Sequence, residues 1–332
     1  MAERGGKRFP RANNPIDARG GVDYLTRVPA ARLAIVTGKG GVGKTTVAAA
    51  LARAAVRAGK RVLLIELSSP GRLAHVLGVP PLGREPRAIG RSLDAVALDE
   101  ERALETFVAD LVPLRVLSRR LLSSETFRIV AAAVPGIPEA AMLSQLLAWL
   151  ERGDRASGVR YDWVVLDSPA SGHSAPLLAT PRALGGLAAV GPLASSLARI
   201  GRWLSDPDRT TGVVVALPEP WAVAEAVELY ARLRDDVGIP LARPVLNAVF
   251  PRRFGKREAE LLRDPEATAA IAPDLLTAAR YFARRRTDAQ TQARALRSGT
   301  GERPVELPFL FSPEMRIDEL DPLGDALWPA VA

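Results

Sequence analysis

One glycine-rich segment constrains this chain more than any other. Residues 38–46 read Gly-Lys-Gly-Gly-Val-Gly-Lys-Thr-Thr and match the pattern G-x-x-x-x-G-K-[ST]. An apolar run, Leu33–Thr37, leads in, and a stretch rich in Ala and Leu, Thr45–Ala58, leads out. Glycines let successive backbone N–H groups wrap around a phosphate, and the N-terminus of the following helix adds partial positive charge. The segment predicts a strand, a phosphate-binding loop and a helix.

The polar side chains of this loop have separate expected roles toward ATP and Mg²⁺. Lys44 is expected to reach the β- and γ-phosphates, and the Thr45 hydroxyl to ligate Mg²⁺. Asp167, at the end of the apolar run Trp163–Asp167, is expected to hold a Mg²⁺-bound water. The rest of the predicted phosphate cradle consists of Gly38, Gly40, Gly41, Val42, Gly43 and Thr46.

Short apolar runs alternate with longer amphipathic stretches along most of the chain. Such runs are typical of parallel strands covered on both faces, and the stretches between them of helices. The pattern predicts an α/β fold, namely a doubly wound, mostly parallel sheet of the P-loop NTPase type with an inserted helical subdomain. The predicted strands are Leu33–Thr37, Val62–Glu66, Ala95–Leu98, Trp163–Asp167, Val213–Leu217, Pro244–Val249 and Val305–Leu310.

The same pattern divides the chain into a tail and one large domain. Residues 1–28 are rich in Gly, Pro and Arg with little periodicity, which predicts a mobile basic tail. Residues 29–330 form the predicted ATPase domain, with helical insertions at about 101–153 and 181–205. Residues 284–303 are polar and Arg-rich, which favours an exposed connection before the last strand.

Composition narrows the function further. The chain of 332 residues has no cysteine, which excludes disulfides and thiolate metal sites. It has no apolar run of about 18 residues and no secretory signal, so we expect a cytoplasmic protein without a transmembrane segment. The net charge of +8 indicates a solvated Arg-rich surface or, alternatively, binding to acidic partners. Nucleic acid is not an expected partner.

Several segments together carry a family resemblance over roughly residues 32–330. Lys39, just after the first loop glycine, resembles the signature lysine of deviant Walker A loops. Residues 161–174 resemble the second switch of ArsA proteins, and residues 135–140 the PGIDEA segment of guided-entry factors. Pro218-Glu219 and residues 307–314 also fit. The chain thus resembles the ArsA and guided-entry (tail-anchored protein targeting) family of deviant Walker A P-loop ATPases.

The resemblance implies additional roles for individual residues. It implies that Lys39 acts catalytically across a dimer interface, in a homodimer or in a heterodimer with a paralogue. It implies that Asn247 reads adenine and that Pro308 and Phe309 belong to the adenine-side loop. It further implies that ATP hydrolysis is coupled to a partner protein, such as a hydrophobic client or a membrane-associated protein.

The chain departs from this family at three points. Ser68 stands where we expect the switch I aspartate, and Glu66 is the only nearby acid. Either Glu66 acts as the catalytic acid, or hydrolysis is slow and the protein is mainly an ATP-dependent switch or scaffold. Without cysteine, neither metalloid capture by thiolates nor a zinc-bridged dimer is expected. With three methionines, the apolar helices either line a client groove or pack on each other.

Overall fold

The computed structural model describes most of the chain. The described residues are 33–67, 71–111, 124–153, 157–158, 160–185, 191–312 and 317–332. The predicted basic tail and Ser68 lie outside these residues.

A single sheet of eight strands forms the centre of the protein. Its strand order is β3-β4-β2-β5-β1-β6-β7-β8, and every pair is parallel except β3–β4. The strands are β1 (Leu33–Gly38), β2 (Val62–Leu67), β3 (Arg87–Gly90), β4 (Leu93–Leu98), β5 (Trp163–Asp167), β6 (Thr210–Ala216), β7 (Val245–Val249) and β8 (Val305–Pro308).

Helices connect the strands and cover both faces of the sheet. They are α1 (Lys44–Arg57), α2 (Arg72–Leu77), α3 (Glu100–Leu111), α4 (Glu125–Ala133), α5 (Ile137–Arg152), α6 (Ser171–Gly185), α7 (Pro192–Ser205), α8 (Pro220–Ala231), α9 (Lys256–Leu261), α10 (Pro265–Thr268), α11 (Pro273–Thr300) and α12 (Leu320–Val331). A π-helical turn, Arg232–Val237, extends α8, and a 3₁₀ turn, Ile317–Glu319, precedes α12.

Successive side chains of the central strands point to opposite faces of the sheet, so the interior is divided into two cores. In β1, Leu33 and Ile35 face one core, whereas Ala34 and Val36 face the other. Because successive side chains of a strand point to opposite faces, an all-apolar strand needs helices on both sides. Side chains from α3, α5, α6, α7 and α8 fill the first core, and α1, α2 and α12 close the second.

Strand order places the phosphate loop beside two acidic strand ends. β1 lies between β5 and β6, and Val36 pairs with Asp167 of β5. On the other side of β5, Asp167 pairs with Glu66 of β2. The chain leaves β1 toward one edge of the sheet and returns through β5 and β6 toward the other. Ligands of such sheets bind outside the carboxyl ends of the strands at this reversal.

The predicted α/β architecture is confirmed, with two local exceptions. Each predicted strand is found, with ends shifted by up to a few residues. Strand β3 was not predicted, because it has four residues, lies at the edge and pairs antiparallel. Residues 284–303 are mostly exposed or half-buried, as expected, but most of them belong to helix α11 instead of an irregular connection. Among the 28 residues of α11 only Ala289, Leu296 and Thr300 are buried, so the helix lacks a clear apolar stripe.

Within the described residues, no helix combines the length and the apolar character needed to cross a bilayer.

Helices α1 and α12 pack closely against each other in the second core. A Cβ atom added to Gly324 of α12 would lie 2.5 Å from the Ala50 carbonyl oxygen of α1 and 3.0 Å from Ala54 Cβ. Arg53 of α1 binds Asp321 of α12 through Nε and Nη2, at 2.7 and 2.9 Å. Both contacts hold the C-terminal helix against the helix that follows the phosphate loop.

We therefore expect Gly324→Ala to destabilise the fold. The added methyl group meets backbone that cannot rotate away, and overpacking of this kind costs about 1–3 kcal/mol. Urea denaturation would measure the loss of unfolding free energy. Gly83→Ala is the matched control, because a Cβ atom at Gly83 has no heavy atom within 4 Å. Equal stabilities of the two variants would contradict this account of the α1–α12 contact.

Candidate functional site

The loop between β1 and α1 contains three glycines with positive φ, and at two of them a side chain would also meet a neighbouring atom. Gly38 has φ 151° and Gly43 has φ 88°, in the region that L side chains rarely adopt. A Cβ atom at Gly38 would lie 2.3 Å from the Val215 carbonyl oxygen, and one at Gly43 would lie 2.3 Å from the Asn247 side-chain nitrogen. Local backbone and neighbouring strands together hold the loop in an open cradle at the start of α1.

Asn247 fastens this loop from the neighbouring strand β7. Its side-chain nitrogen donates to the Val42 carbonyl at 2.9 Å, and the residue is almost completely buried. The next residue, Ala248, has φ 57°, and the pairing of β7 with β8 shifts register between Leu246 and Val249. Such an irregularity re-aims a side chain at the cost of strain, roughly 1–2 kcal/mol for alanine in this region. In this conformation Asn247 supports the phosphate loop.

Lys44 and Asp167 bring opposite charges to the mouth of the loop. The Lys44 ammonium donates to the Lys39 carbonyl at 2.9 Å, and burial lowers the pKa of Lys44. Burial also raises the pKa of Asp167 to about 6, although the Thr45 side chain and Lys44 act in the opposite direction. The Asp167 Oδ1 atom is buried and has no hydrogen-bond partner among the described residues.

These residues fit Mg²⁺ bound together with a nucleotide phosphate. A buried carboxylate oxygen without a partner is costly, and a cation beside it removes that cost. Within the part of the chain that the structure describes, no group of three or more acidic or His residues could hold a metal ion alone. Mg²⁺ commonly takes one or two protein oxygens plus phosphate oxygens, and Thr45 and Asp167 would supply the protein share.

Glu66 has a different environment from that expected of a catalytic acid. It is 1% exposed, and both carboxylate oxygens accept backbone hydrogen bonds. Leu73 N–H donates to Oε1 at 2.9 Å, and Gly71 N–H donates to Oε2 at 3.2 Å. Glu66 thus satisfies two free N–H groups at the start of α2. In this conformation it holds the start of α2 in place.

A cavity of about 830 Å³ extends from the phosphate loop to the first turn of α5. Six residues assigned to the nucleotide and its metal ion line it: Gly40, Gly41, Gly43, Lys44, Thr45 and Asp167. His173, expected in the second switch, lines it too. Other predicted site residues lie around the loop and outside the cavity lining, namely Gly38, Lys39, Val42, Thr46, Glu66, Asn247, Pro308 and Phe309. The cavity also contains Arg72, Glu100, Glu139 and Met142, which were not predicted.

Lys39 is held within its own chain. Its ammonium lies 3.1 Å from Glu225 Oε2 on α8, and both side chains are partly exposed. The other Glu225 oxygen accepts a short hydrogen bond from the Ser171 hydroxyl at the start of α6. That hydrogen bond and, to a lesser degree, Lys39 lower the pKa of Glu225. Glu225 therefore connects the phosphate loop to the segment that follows Asp167.

Pro308 and Phe309 lie at the carboxyl end of the sheet, as Asn247 does. The Phe309 N–H donates to the Val249 carbonyl at 2.9 Å. The Phe309 ring contacts Phe250 and Phe311, with centroid distances of 4.9 and 4.8 Å, and is 38% exposed. The structure thus brings the predicted adenine-side residues to one edge, and their role toward adenine stays a prediction.

Four residues of this region were missed by sequence reasoning: Arg72, Glu139, Ser171 and Glu225. Glu139 lies inside the segment 135–140 that had been singled out for resemblance, and Arg72 follows the strand that ends at Leu67. Arg72 could have been found by considering every charged residue near a strand end, and Glu139 by considering the charged residue of that segment. Glu225 is distant in sequence from Lys39, and only strand order brings α8 beside the loop.

Comparison with known proteins identifies ATPases that are similar to this chain. Residues 31–190 match the ArsA_ATPase family model, described as anion-transporting ATPase. The chain is 27% identical over 263 residues to ATPase BagA of Mycobacterium tuberculosis, covering 77% of each chain. It is 28% identical over 261 residues to an arsenical pump-driving ATPase of Escherichia coli. That alignment covers 72% of this chain and 44% of the pump-driving ATPase, so the chain spans less than half of that relative.

The raised pKa of Asp167 predicts a pH-dependent stability for the nucleotide-free protein. An aspartate with a pKa near 3.9 when unfolded and about 6 when folded binds more protons in the folded state between these values. The free energy of unfolding therefore falls as pH rises through this window, by at most about 3 kcal/mol. We expect Asp167→Asn to be more stable than the wild type at pH 7 and equal to it near pH 4.

Denaturation in urea across pH 4–8 would check this expectation. Asp321→Asn is the control of opposite sign, because hydrogen bonding to Arg53 lowers the pKa of Asp321. Its lost stability should be largest at neutral pH and shrink toward acid pH. An Asp167→Asn variant that is less stable than the wild type at pH 7 would show that Asp167 is already paired.

Proposed function

Because this chain belongs to the ArsA family of P-loop ATPases, we propose that it acts in the cytoplasm as a nucleotide-switched dimer that hydrolyses Mg-ATP. The observation that carries the proposal is the buried Asp167 oxygen, which has no partner in the part of the chain that the structure describes and lies beside Thr45 and Lys44 in one cavity. A carboxylate, a hydroxyl and an ammonium in this arrangement suit a metal-bound triphosphate.

The residues around the cavity would divide the work of binding ATP. The backbone N–H groups of Gly41 and Gly43 and the Lys44 ammonium would bind the β- and γ-phosphates. Thr45 and Asp167 would hold the accompanying Mg²⁺, which supplies charge neutralisation at the phosphates. Arg72 adds a second cationic side chain to the cavity lining. Positive charge at this point stabilises the negative charge that develops on the transferred phosphoryl group.

A specific observation favours an alternative in which hydrolysis is slow or absent. Both Glu66 oxygens accept hydrogen bonds from backbone N–H groups, and Glu66 is absent from the cavity lining, so in this conformation it is poorly placed to position a water there. Under this alternative the protein is an ATP-dependent scaffold, or one half of a heterodimer with a paralogue. Turnover by the purified chain separates these readings.

The dimer part of the proposal rests on a surface made by Lys39, Glu225 and Trp221. Trp221 lies one helical turn before Glu225 on α8 and is 82% exposed. Partly exposed ion pairs contribute only about 0–1 kcal/mol, so Lys39 can exchange Glu225 for a phosphate at little cost. Exposed tryptophans commonly become anchors of protein interfaces. We propose that a second copy covers Trp221 while Lys39 contacts the partner's nucleotide.

A hydrophobic client or a membrane-associated partner protein is a further proposal. In α5, the eleven residues from Ala140 to Leu150 are all buried, which favours packing over an open groove. Among the described residues of α3 to α7, the exposed large apolar side chains are Ile129 and Val134. These two residues make the region of α4 the described surface on which such a partner would be sought.

Phosphate release tests the ATPase proposal directly. We expect the wild type to release phosphate steadily from Mg-ATP and to lose this activity when EDTA removes Mg²⁺. Lys44→Ala should abolish turnover and weaken ATP binding at least about tenfold, because a charged hydrogen bond contributes about 1.5–3 kcal/mol. Lys60→Ala, just after α1, is the matched control and should behave as the wild type. Tight ATP binding by the wild type without phosphate release would support the scaffold alternative instead.

Sedimentation in the presence of a slowly hydrolysed ATP analogue tests the dimer. The wild type should double in mass with nucleotide, and Trp221→Ala should remain monomeric while still binding nucleotide. Leu275→Ala is the matched control, since Leu275 is 67% exposed on α11 and lies outside the proposed surface. Dimerisation of Trp221→Ala at the wild-type concentration would refute the assigned interface.

A further inference from the structure

We propose that Glu139 is the carboxylate that positions the water attacking ATP. This inference rests on the proposed ATPase function and names a catalytic residue for it. Glu139 lines the same cavity as Lys44, Thr45 and Asp167. Its Oε2 atom is buried and has no hydrogen-bond partner among the described residues. A buried oxygen of this kind needs a donor, and a water in the cavity supplies one.

The other acids near the cavity are less suited to this role. Both oxygens of Glu66 already accept backbone hydrogen bonds. Asp167 lies beside Thr45, where a metal ion would use it. Glu100 lines the cavity but is exposed, so bulk water competes for its carboxylate. Glu139 alone among these four combines a place in the cavity, a buried oxygen and freedom from both metal and backbone.

The fold holds Glu139 on a rigid element. It lies in the first turn of α5, and the helix is buried from Ala140 onward. Gly136, which precedes this helix with φ 92°, lets Leu184 of α6 pack closely, since a Cβ atom there would lie 2.9 Å from Leu184 Cδ1. Helix α6 begins four residues after Asp167. Leu184 lies in the last turn of α6, so this contact fixes the start of α5 against the end of that helix and holds Glu139 on a packed element.

The chemistry requires only one carboxylate at this place. The water oxygen forms a bond to the γ-phosphorus while the bond from that phosphorus to the β–γ bridging oxygen breaks. ADP leaves with the electron pair of the broken bond. The Glu139 carboxylate accepts a hydrogen bond from the water, takes its proton and returns it to the phosphate that is released. Orientation of the water is the main contribution, because phosphoryl transfer depends mostly on positioning and charge stabilisation.

Glu139→Gln tests this inference, because the amide keeps the size of the side chain and removes its capacity to accept a proton. We expect kcat for phosphate release to fall on the order of 100-fold or more. The dissociation constant for a fluorescent ATP analogue should stay within about twofold of the wild-type value, since Glu139 binds water and not phosphate. Glu260→Gln on α9 is the matched control and should keep wild-type kcat, because Glu260 is exposed and lies outside the cavity lining.

Thermal unfolding of the nucleotide-free protein is the second readout. We expect Glu139→Gln to unfold at the wild-type temperature or above it, because the variant replaces a carboxylate whose buried Oε2 atom has no partner among the described residues. A lower unfolding temperature combined with weaker ATP binding would assign Glu139 a structural role and overturn the inference. Wild-type kcat in Glu139→Gln would overturn it as well. A wild type that binds ATP but releases no phosphate would refute the proposed ATPase function itself, and with it the role assigned to Glu139.

Discussion

The parallel pairing of β1 with β5 is the constraint on which the site depends. It sets Asp167 opposite Val36, next to the loop that begins at Gly38. The Ser168 hydroxyl and N–H both bind the Val36 carbonyl, at 2.7 and 3.1 Å, so the pairing continues past the end of β5. Without this register, the lysine of the loop and the aspartate of the strand would not share a cavity. Both cores of the protein, one on each face of the sheet, serve to keep these strands together.

The candidate site is built from ionisable groups whose burial opposes folding. Asp167 and Glu139 each bury a carboxylate oxygen that has no partner within the described part of the chain, and burial lowers the pKa of Lys44 and raises that of Asp167. Such groups are expensive in an interior of low polarity unless a ligand or water completes them. Burial of the apolar strands and the α1–α12 contact contribute free energy of folding that offsets this cost. Perturbed ionisable groups grouped in one cavity are typical of a functional site.

The phosphate loop and the end of β1 are connected to distant elements through side-chain contacts. Asn247 joins it to β7, and Glu225 joins Lys39 to Ser171 on α6. The buried hydroxyls of Thr37 and Ser174 add a direct contact of 2.7 Å between β1 and α6. A shift of the phosphate loop would therefore alter the contacts of α6 and α8 first. These two helices include the exposed Trp221 and the second-switch residue His173, which suits a protein whose nucleotide state controls a surface.

Much of the architecture was determined by the sequence alone. Continuous apolar runs needed helices on two faces, and the glycine pattern before Lys44 required a phosphate loop, because few other residues tolerate its backbone. The long helix α11 and the edge strand β3 escaped prediction, since neither carries a strong apolar period.

Only the tertiary structure decided which charged groups meet. Glu66 accepts hydrogen bonds from the start of α2, and Lys39 forms an ion pair with Glu225. Packing of α5 on α6 places Glu139 in the cavity lining. Sequence patterns record which face of an element is buried, because burial acts on each residue locally. They do not record which distant side chains become neighbours, because strand order and helix packing set those distances.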